Sequence, residues 1–267
     1  MTRIAPWTWL KLFVALSYFF MLMPILVTVS VSFNEGSQSA FPPQGFSLRW
    51  WQEAFSDKWL MAIVFSLKLS TVSAILSTAM ALPLAFGLVR REFPGKRIVV
   101  LIVLGPLLLP TLVTGIGLLQ LFHWAGVFHS IGFGALLIGH IVICLPFSVR
   151  TIAVSLNGLS ANLEAAAASL GATRGRILID VILPLIRNGL VAGALFSFIH
   201  SFTDVNLSLF LAGPATSPIT VKILGFLEFG FAPTLAALST ISLLIPLVGF
   251  ALVQRFAQLG EFVYEQR

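Results

Sequence analysis

Charge is what this sequence has least of. Only 10% of its 267 residues are Asp, Glu, Lys or Arg, 58% are hydrophobic, and the mean hydropathy is +0.99. That leaves too little charged surface to cover a soluble globule of this size, so lipid must be part of the solvent. No charged residue occurs between Arg97 and Arg150, and shorter charge-free runs fill Leu12 to Asn34, Leu69 to Val89, Asn188 to Thr203 and Phe229 to Gln254. Cysteine is nearly absent too. Cys144 alone excludes an intrachain disulfide and a cysteine metal cluster, and reads as a small core residue. The phosphate-cradling pattern Gly-x4-Gly-Lys-Ser/Thr is missing, since Gly95-Lys96 is followed by Arg97 and lacks the upstream glycine. His123, His129, His140 and His200 have neither metal-ligand spacing nor adjacent carboxylates, so no metal or cofactor is expected in the chain. His123 and His129 read as interfacial loop residues. Without low-complexity linkers or internal repeats, residues 1–267 read as a single transmembrane domain.

What is present is apolar length. A helix needs roughly 20 apolar residues to cross the hydrocarbon layer, which predicts an all-α integral membrane protein with about six spans, near 10–33, 60–89, 98–122, 134–154, 189–211 and 234–254. The long uncharged interval divides at Trp124 to Gly134. Arg3 and Lys11 ahead of the first apolar core resemble a signal peptide, but the core is too long and no cleavage site follows it closely, so it is expected to remain as a span.

Basic residues orient the chain, because cytoplasmic loops retain them. One side receives Arg3, Lys11, Arg90, Arg91, Lys96, Arg97, Arg150, Arg174, Arg176, Arg187, Arg255 and Arg267; the other receives Arg49, Lys58 and Lys222, with Lys68 near a helix end. Both termini are thus expected in the cytoplasm. The net charge of +6 follows from this topology, and no nucleic-acid partner is needed to explain it.

Two external segments stand out, Asn34 to Lys58 and Ala212 to Pro233. Trp50, Trp51 and Trp59 suggest a short interfacial helix before the second span, since amphipathic rings favour the headgroup boundary. In that span Ser66, Ser70, Ser73 and Ser77 share one helical face, which suits close helix packing and is compatible with lining a pathway. Lys68 is placed to snorkel outward.

Nearly forty residues, Arg150 to Arg187, lie on the basic side between spans four and five. The centre, about 155–188, holds Glu164-Ala165-Ala166-Ala167 and an alanine-rich run with Asn162 as a cap and Gly171 as a helix end. An isolated helix this short is marginal in water and needs a surface to dock on. This stretch resembles the EAA loop of ATP-binding-cassette (ABC) importer permeases: Glu-Ala-Ala, three residues, Gly, nine residues, an aliphatic, one residue, Leu-Pro. Ala166, Ala167, Gly171, Val181, Leu183 and Pro184 match, whereas the glutamate position is Ala165 and Glu164 lies one residue early. The resemblance implies a coupling helix that docks a separate ATPase, with Glu164, Ala165, Ala166, Ala167, Gly171, Ala172, Arg174, Arg176, Leu183 and Pro184 at that contact. It also implies two ATPase subunits that bind ATP and Mg, a second permease chain related to this one, a periplasmic or lipid-anchored substrate-binding protein, and a place in the bacterial inner membrane.

Span five contains the one acidic residue expected within a membrane helix, Asp204. Such a group costs at least about 2.5 kcal/mol at mid-bilayer and usually faces a cavity or a partner. Ser197, Ser201, Asp204 and Ser208 fall on one stripe of a continuous helix, with His200 beside it. About 14 residues, roughly 21 Å, separate Leu190 from Asp204. Two readings stand open: a carboxylate in a hydroxyl-lined path that favours an amine-bearing solute, or a structural group, either paired with His200 or capping a broken helix end. The run from His200 to Pro214, with the six-span plan, resembles the second permease of spermidine/putrescine-type importers, which implies a polyamine or another small amine-bearing cargo. The competing function is a secondary transporter driven by an ion gradient through Asp204 and His200, which leaves the EAA-like loop unexplained.

Overall fold

The computed structural model describes residues 6–127, 132–214, 216–228, 230 and 232–264; Arg3, His129 and Arg267 lie outside them. The described elements are helical: α1 Pro6–Val31, α2 Arg49–Ala54, α3 Asp57–Arg90, α4 Lys96–Leu108, α5 Thr111–Trp124, α6 Phe133–Asn157, α7 Ala161–Ser169, α8 Arg174–Leu185, α9 Arg187–Thr203, α10 Ser208–Leu211, α11 Ile219–Leu227 and α12 Pro233–Tyr264. Among them α1, α3, α6 and α12 are long and apolar enough to cross a bilayer unbroken. Two further helix pairs are apolar enough only when taken together and are sharply bent, α4 with α5 at 113° and α8 with α9 at 70°, which gives six spans if each pair is one broken span.

The bends depart from the straight spans expected at 98–122 and 189–211, and each has a local cause. Pro110 forces Leu109 into extended backbone, φ −98° and ψ 140°, because the residue before proline is kept out of the helical region. Pro106, one turn earlier, has already removed a donor from the same stretch. In α8, residues Ile177–Ile182 form a π-helical turn in which the Leu183 N–H bonds the Leu178 carbonyl, five residues back. Pro184 follows directly, and its missing N–H is one that a regular helix would have required.

Contacts divide the chain into two compact units. One comprises Met1–Leu60 and Ile223–Leu244. It contains a buried Asn34 that accepts at Oδ1 from the Gln44 N–H, donates from Nδ2 to the Gln38 carbonyl, and offers its own carbonyl to Trp50 Nε1 at 2.8 Å. The short helix expected before span two is α2. Trp51 of α2 stacks on Phe33, and Trp59, in the first turn of α3, is only 1% exposed and edge-on to Phe226, so both rings also serve as packing.

The other unit comprises Met61–Lys222 and Ile245–Arg267. Its most extensive contact is α6 against α9, and glycine makes it close. A β-carbon on Gly193 would lie 3.1 Å from Ser148 Cα, and one on Gly189 would lie 3.0 Å from the Thr151 carbonyl. Small residues four apart let membrane helices approach to backbone contact. Ser66, Ser70, Ser73 and Ser77 are all buried in this unit, as the packing reading requires.

Candidate functional site

The EAA-like loop folds as α7 followed by α8. Ser160, in extended backbone, caps α7 by accepting from the Asn162 N–H, so the cap is two residues earlier than the expected Asn162. At the other end Gly171 has φ +83°. Its N–H bonds the Ala168 carbonyl at 2.9 Å and the Ala172 N–H bonds the Ala167 carbonyl at 3.1 Å, which is the paired closure that needs a left-handed residue. Thr173 then caps α8 by accepting from the Arg176 N–H.

This geometry sorts the loop residues into two faces. Ala167, Ala172 and Leu183 pack against a core of Ala85, Ile152, Leu156, Ile182 and Ile186. Ala165, Ala166 and Leu170 are exposed, Leu170 at 89%, together with Arg174, Arg176 and Pro184. Glu164 turns inward: its Oε1 lies 2.9 Å from Arg90 Nε at the end of α3, and Arg90 Nη2 donates to the Leu159 carbonyl at 3.1 Å. The displaced glutamate is therefore held by this chain's own arginine.

Span five is broken at Asp204. Helix α9 ends at Thr203, Asp204 is extended, and a short turn restarts as α10. Asp204 is 7% exposed. Its Oδ2 accepts from the Ser208 N–H at 2.9 Å and the Ser208 hydroxyl at 3.0 Å, and its backbone carbonyl accepts from Thr220 Oγ1 at 2.8 Å. Backbone polar groups freed within a bilayer must be satisfied by the protein, and Asp204 meets that demand at the break. Of the two open readings, its observed bonds are those of a carboxylate capping a broken helix. His200 is half-buried and lies against Phe147, centroids 4.6 Å apart.

The serine stripe does converge, on a residue that the sequence reading passed over. His140 of α6 is fully buried, with Nδ1 2.7 Å from Ser201 Oγ and Nε2 3.0 Å from Ser208 Oγ. Asp204, Ser208, His140 and Ser201 thus form one bonded chain. A second begins at Thr78 Oγ1, 3.0 Å from Ser148 Oγ, and continues 2.9 Å to Ser197 Oγ, which donates to the Cys144 carbonyl; the Cys144 thiol donates to the Ser197 carbonyl. The available signal was the spacing His140, Cys144, Ser148 at steps of four inside an uncharged span, a polar stripe facing another polar stripe. Pathway candidates Ser197, Ser201, Asp204 and Ser208 are thus together and buried, and His200 is outside their bonds.

Comparison with known proteins covers both regions. Residues 77–258 match the family of binding-protein-dependent transport system inner membrane components. The spermidine/putrescine transport system permease protein PotC of Escherichia coli K12 is 35% identical over 237 residues, 88% of this chain and 89% of the relative. PotC of Haemophilus influenzae is 32% identical over 91% of this chain and 93% of its own. The putrescine transport system permease protein PotI of Escherichia coli K12 is 30% identical over 91% and 88%. In fold, the chain is similar to one from a bacterial ABC transporter that imports the acidic polysaccharide alginate (TM-score 0.70, 17% identity, 96% and 99% covered) and to one from the MetNI methionine ABC transporter in inward-facing form (TM-score 0.65, 19% identity, 77% and 99% covered). Bent apolar crossings, an EAA-spaced loop and relatives matched along nearly their whole length agree: this chain belongs to the binding-protein-dependent inner membrane components and is a multi-pass permease subunit of an ABC importer.

Proposed function

We propose that the permease docks a separate ATPase through the exposed face of α7 and the start of α8, and forms half of a translocation pathway for a polyamine or similar small amine-bearing solute. The carrying observation is the loop itself. A nine-residue helix cannot persist in water on its own propensity, yet this one is capped at both ends and leaves Ala165, Ala166 and Leu170 uncovered. Small side chains at the contact favour close insertion into a groove, with Arg174 and Arg176 positioned for acidic groups. Glu164, held by Arg90, supports the helix from behind. The ATPase pair would bind ATP and Mg; a second, related permease and a substrate-binding protein complete the importer. The names of the PotC and PotI relatives support the cargo.

For the pathway, the contribution of these side chains is positional: Asp204, Ser201 and Ser208 fix the break that shapes span five, and Ser197 fastens α9 to α6. Family membership disfavours the ion-driven transporter. The test is co-purification of the ATPase with Gly171→Pro and Leu170→Glu, alongside polyamine uptake in cells lacking their own system. Loss of assembly in both variants is expected, and intact assembly in both would remove the docking role from this loop.

A further inference from the structure

A cavity of about 650 Å³ opens between the last turns of α3 and the π-helical turn of α8. Its walls are apolar, with Leu82, Phe86, Leu178 and Ile182, and its mouth carries Arg91, Arg174 and Glu164. The charges there do not cancel. Glu164 is matched by Arg90, and neither Arg91 nor Arg174 is in an ion pair among the described residues. From Leu82 to Arg90, the end of α3, the helix rises roughly 12 Å at 1.5 Å per residue, close to one leaflet of a ~30 Å hydrocarbon layer. Along α3 the cavity is therefore about as long as one leaflet is deep, with the cations Arg91 and Arg174 among its lining.

We propose that this cavity is a binding site for an anionic phospholipid, whose phosphate lies between Arg91 and Arg174 and whose acyl chain enters along Leu82 and Phe86. A soluble anion matches the arginines but has no use for the walls. A neutral lipid matches the walls but not the arginines. Basic pockets at the ends of membrane helices select acidic headgroups for this reason. The site is in this chain alone; it shares Arg174 with the proposed ATPase contact, so it is tested on the chain freed of its ATPase.

The experiment is native mass spectrometry of the purified full chain titrated with dioleoylphosphatidylglycerol or dioleoylphosphatidylcholine, with glycerol phosphate as the soluble competitor. The wild type should retain phosphatidylglycerol preferentially, and glycerol phosphate should not displace it. Arg91→Gln with Arg174→Gln should lower that preference about 30-fold, about fivefold for each arginine at a membrane surface. Gly87→Leu supplies the second arm. Gly87 lines the cavity, and a β-carbon there meets nothing within 4 Å, so the leucine projects into the space and narrows it while both arginines stay. It should weaken retention with the helix content unchanged. Equal retention of the two lipids, displacement by glycerol phosphate, or undiminished binding by the Gly87→Leu chain would each overturn the proposal.

Discussion

Asp204 makes its bonds through oxygens, and that decides how its variants should behave. Asn keeps a side-chain oxygen for the Ser208 N–H, whereas Ala leaves that donor and the Ser208 hydroxyl short of a partner. Thermal unfolding in detergent should show Asp204→Ala destabilised by about 1–3 kcal/mol, the cost of a buried group left unbonded, and Asp204→Asn by less. Uptake should follow the same order. A cargo held by the carboxylate charge would instead stop transport in Asp204→Asn with stability intact. His140→Ala removes the shared partner of Ser201 and Ser208 and should lose at least as much as Asp204→Ala, with Asn at 140 recovering part. Gly171 is a milder case: at φ +83° an alanine costs about 1–2 kcal/mol, and its β-carbon meets nothing within 4 Å. Gly171→Ala should therefore weaken ATPase co-purification without the collapse expected of proline.

Among elements, α6 and α9 carry the tightest join, and the glycines that allow it are specific. Gly193→Val must push α9 away from Ser148 and Thr151, breaking the Ser148 to Ser197 bond. A loss of about 3 kcal/mol or more is expected from overpacking together with a severed network, measurable as a lower midpoint on heating. The existence of these helices was legible from uncharged length alone, because the bilayer thickness sets a minimum run. The bend at Leu109 was legible in kind, since Pro106 and Pro110 stand a turn apart, but Pro24, Pro83, Pro146 and Pro246 sit inside helices that continue. A proline signals a missing donor, and packing decides whether the helix breaks there. The break at Asp204 has no such signal in its own segment. Its local part, Asp204 capping Ser208, was among the open readings; its remote partners His140 and Thr220 were not legible in that segment. Gly171 and the Leu-Pro spacing were readable because both are backbone requirements of the loop itself; Arg90 as the partner of Glu164 was not, since the two lie on separate helices.

For the whole molecule, the basic-residue count makes a claim about sidedness that labelling can check. In a Cys144→Ser background, where serine can still donate to the Ser197 carbonyl, Gly95→Cys should react with a membrane-impermeant maleimide only in inverted vesicles, and Gly36→Cys only in intact spheroplasts. Reversal of the pair would invert the topology and take α7 out of reach of the cytoplasmic ATPase proposed to dock on it. Helix α1 has none of its apolar crossing buried by this chain, as expected of a helix whose neighbours are lipid or another polypeptide.

The Arg90 to Glu164 contact ties α7 to α3 by charge, besides its peptide connections to α6 and α8 and the packing of Ala167 on the core that includes Ala85. At about a quarter exposed, the pair lies between open surface pairs, worth up to ~1 kcal/mol, and sealed ones, which cost ~3 kcal/mol or more to break. A thrust delivered to Ala165 would thus reach α3 as well as the spans that flank α7 in the chain. With Arg90→Gln the motor would stay engaged and keep cycling while part of its stroke was lost, and the machine would slip: nucleotide consumed per solute delivered would climb even as assembly appeared normal. Stoichiometry, more than affinity, is the quantity this ion pair would govern.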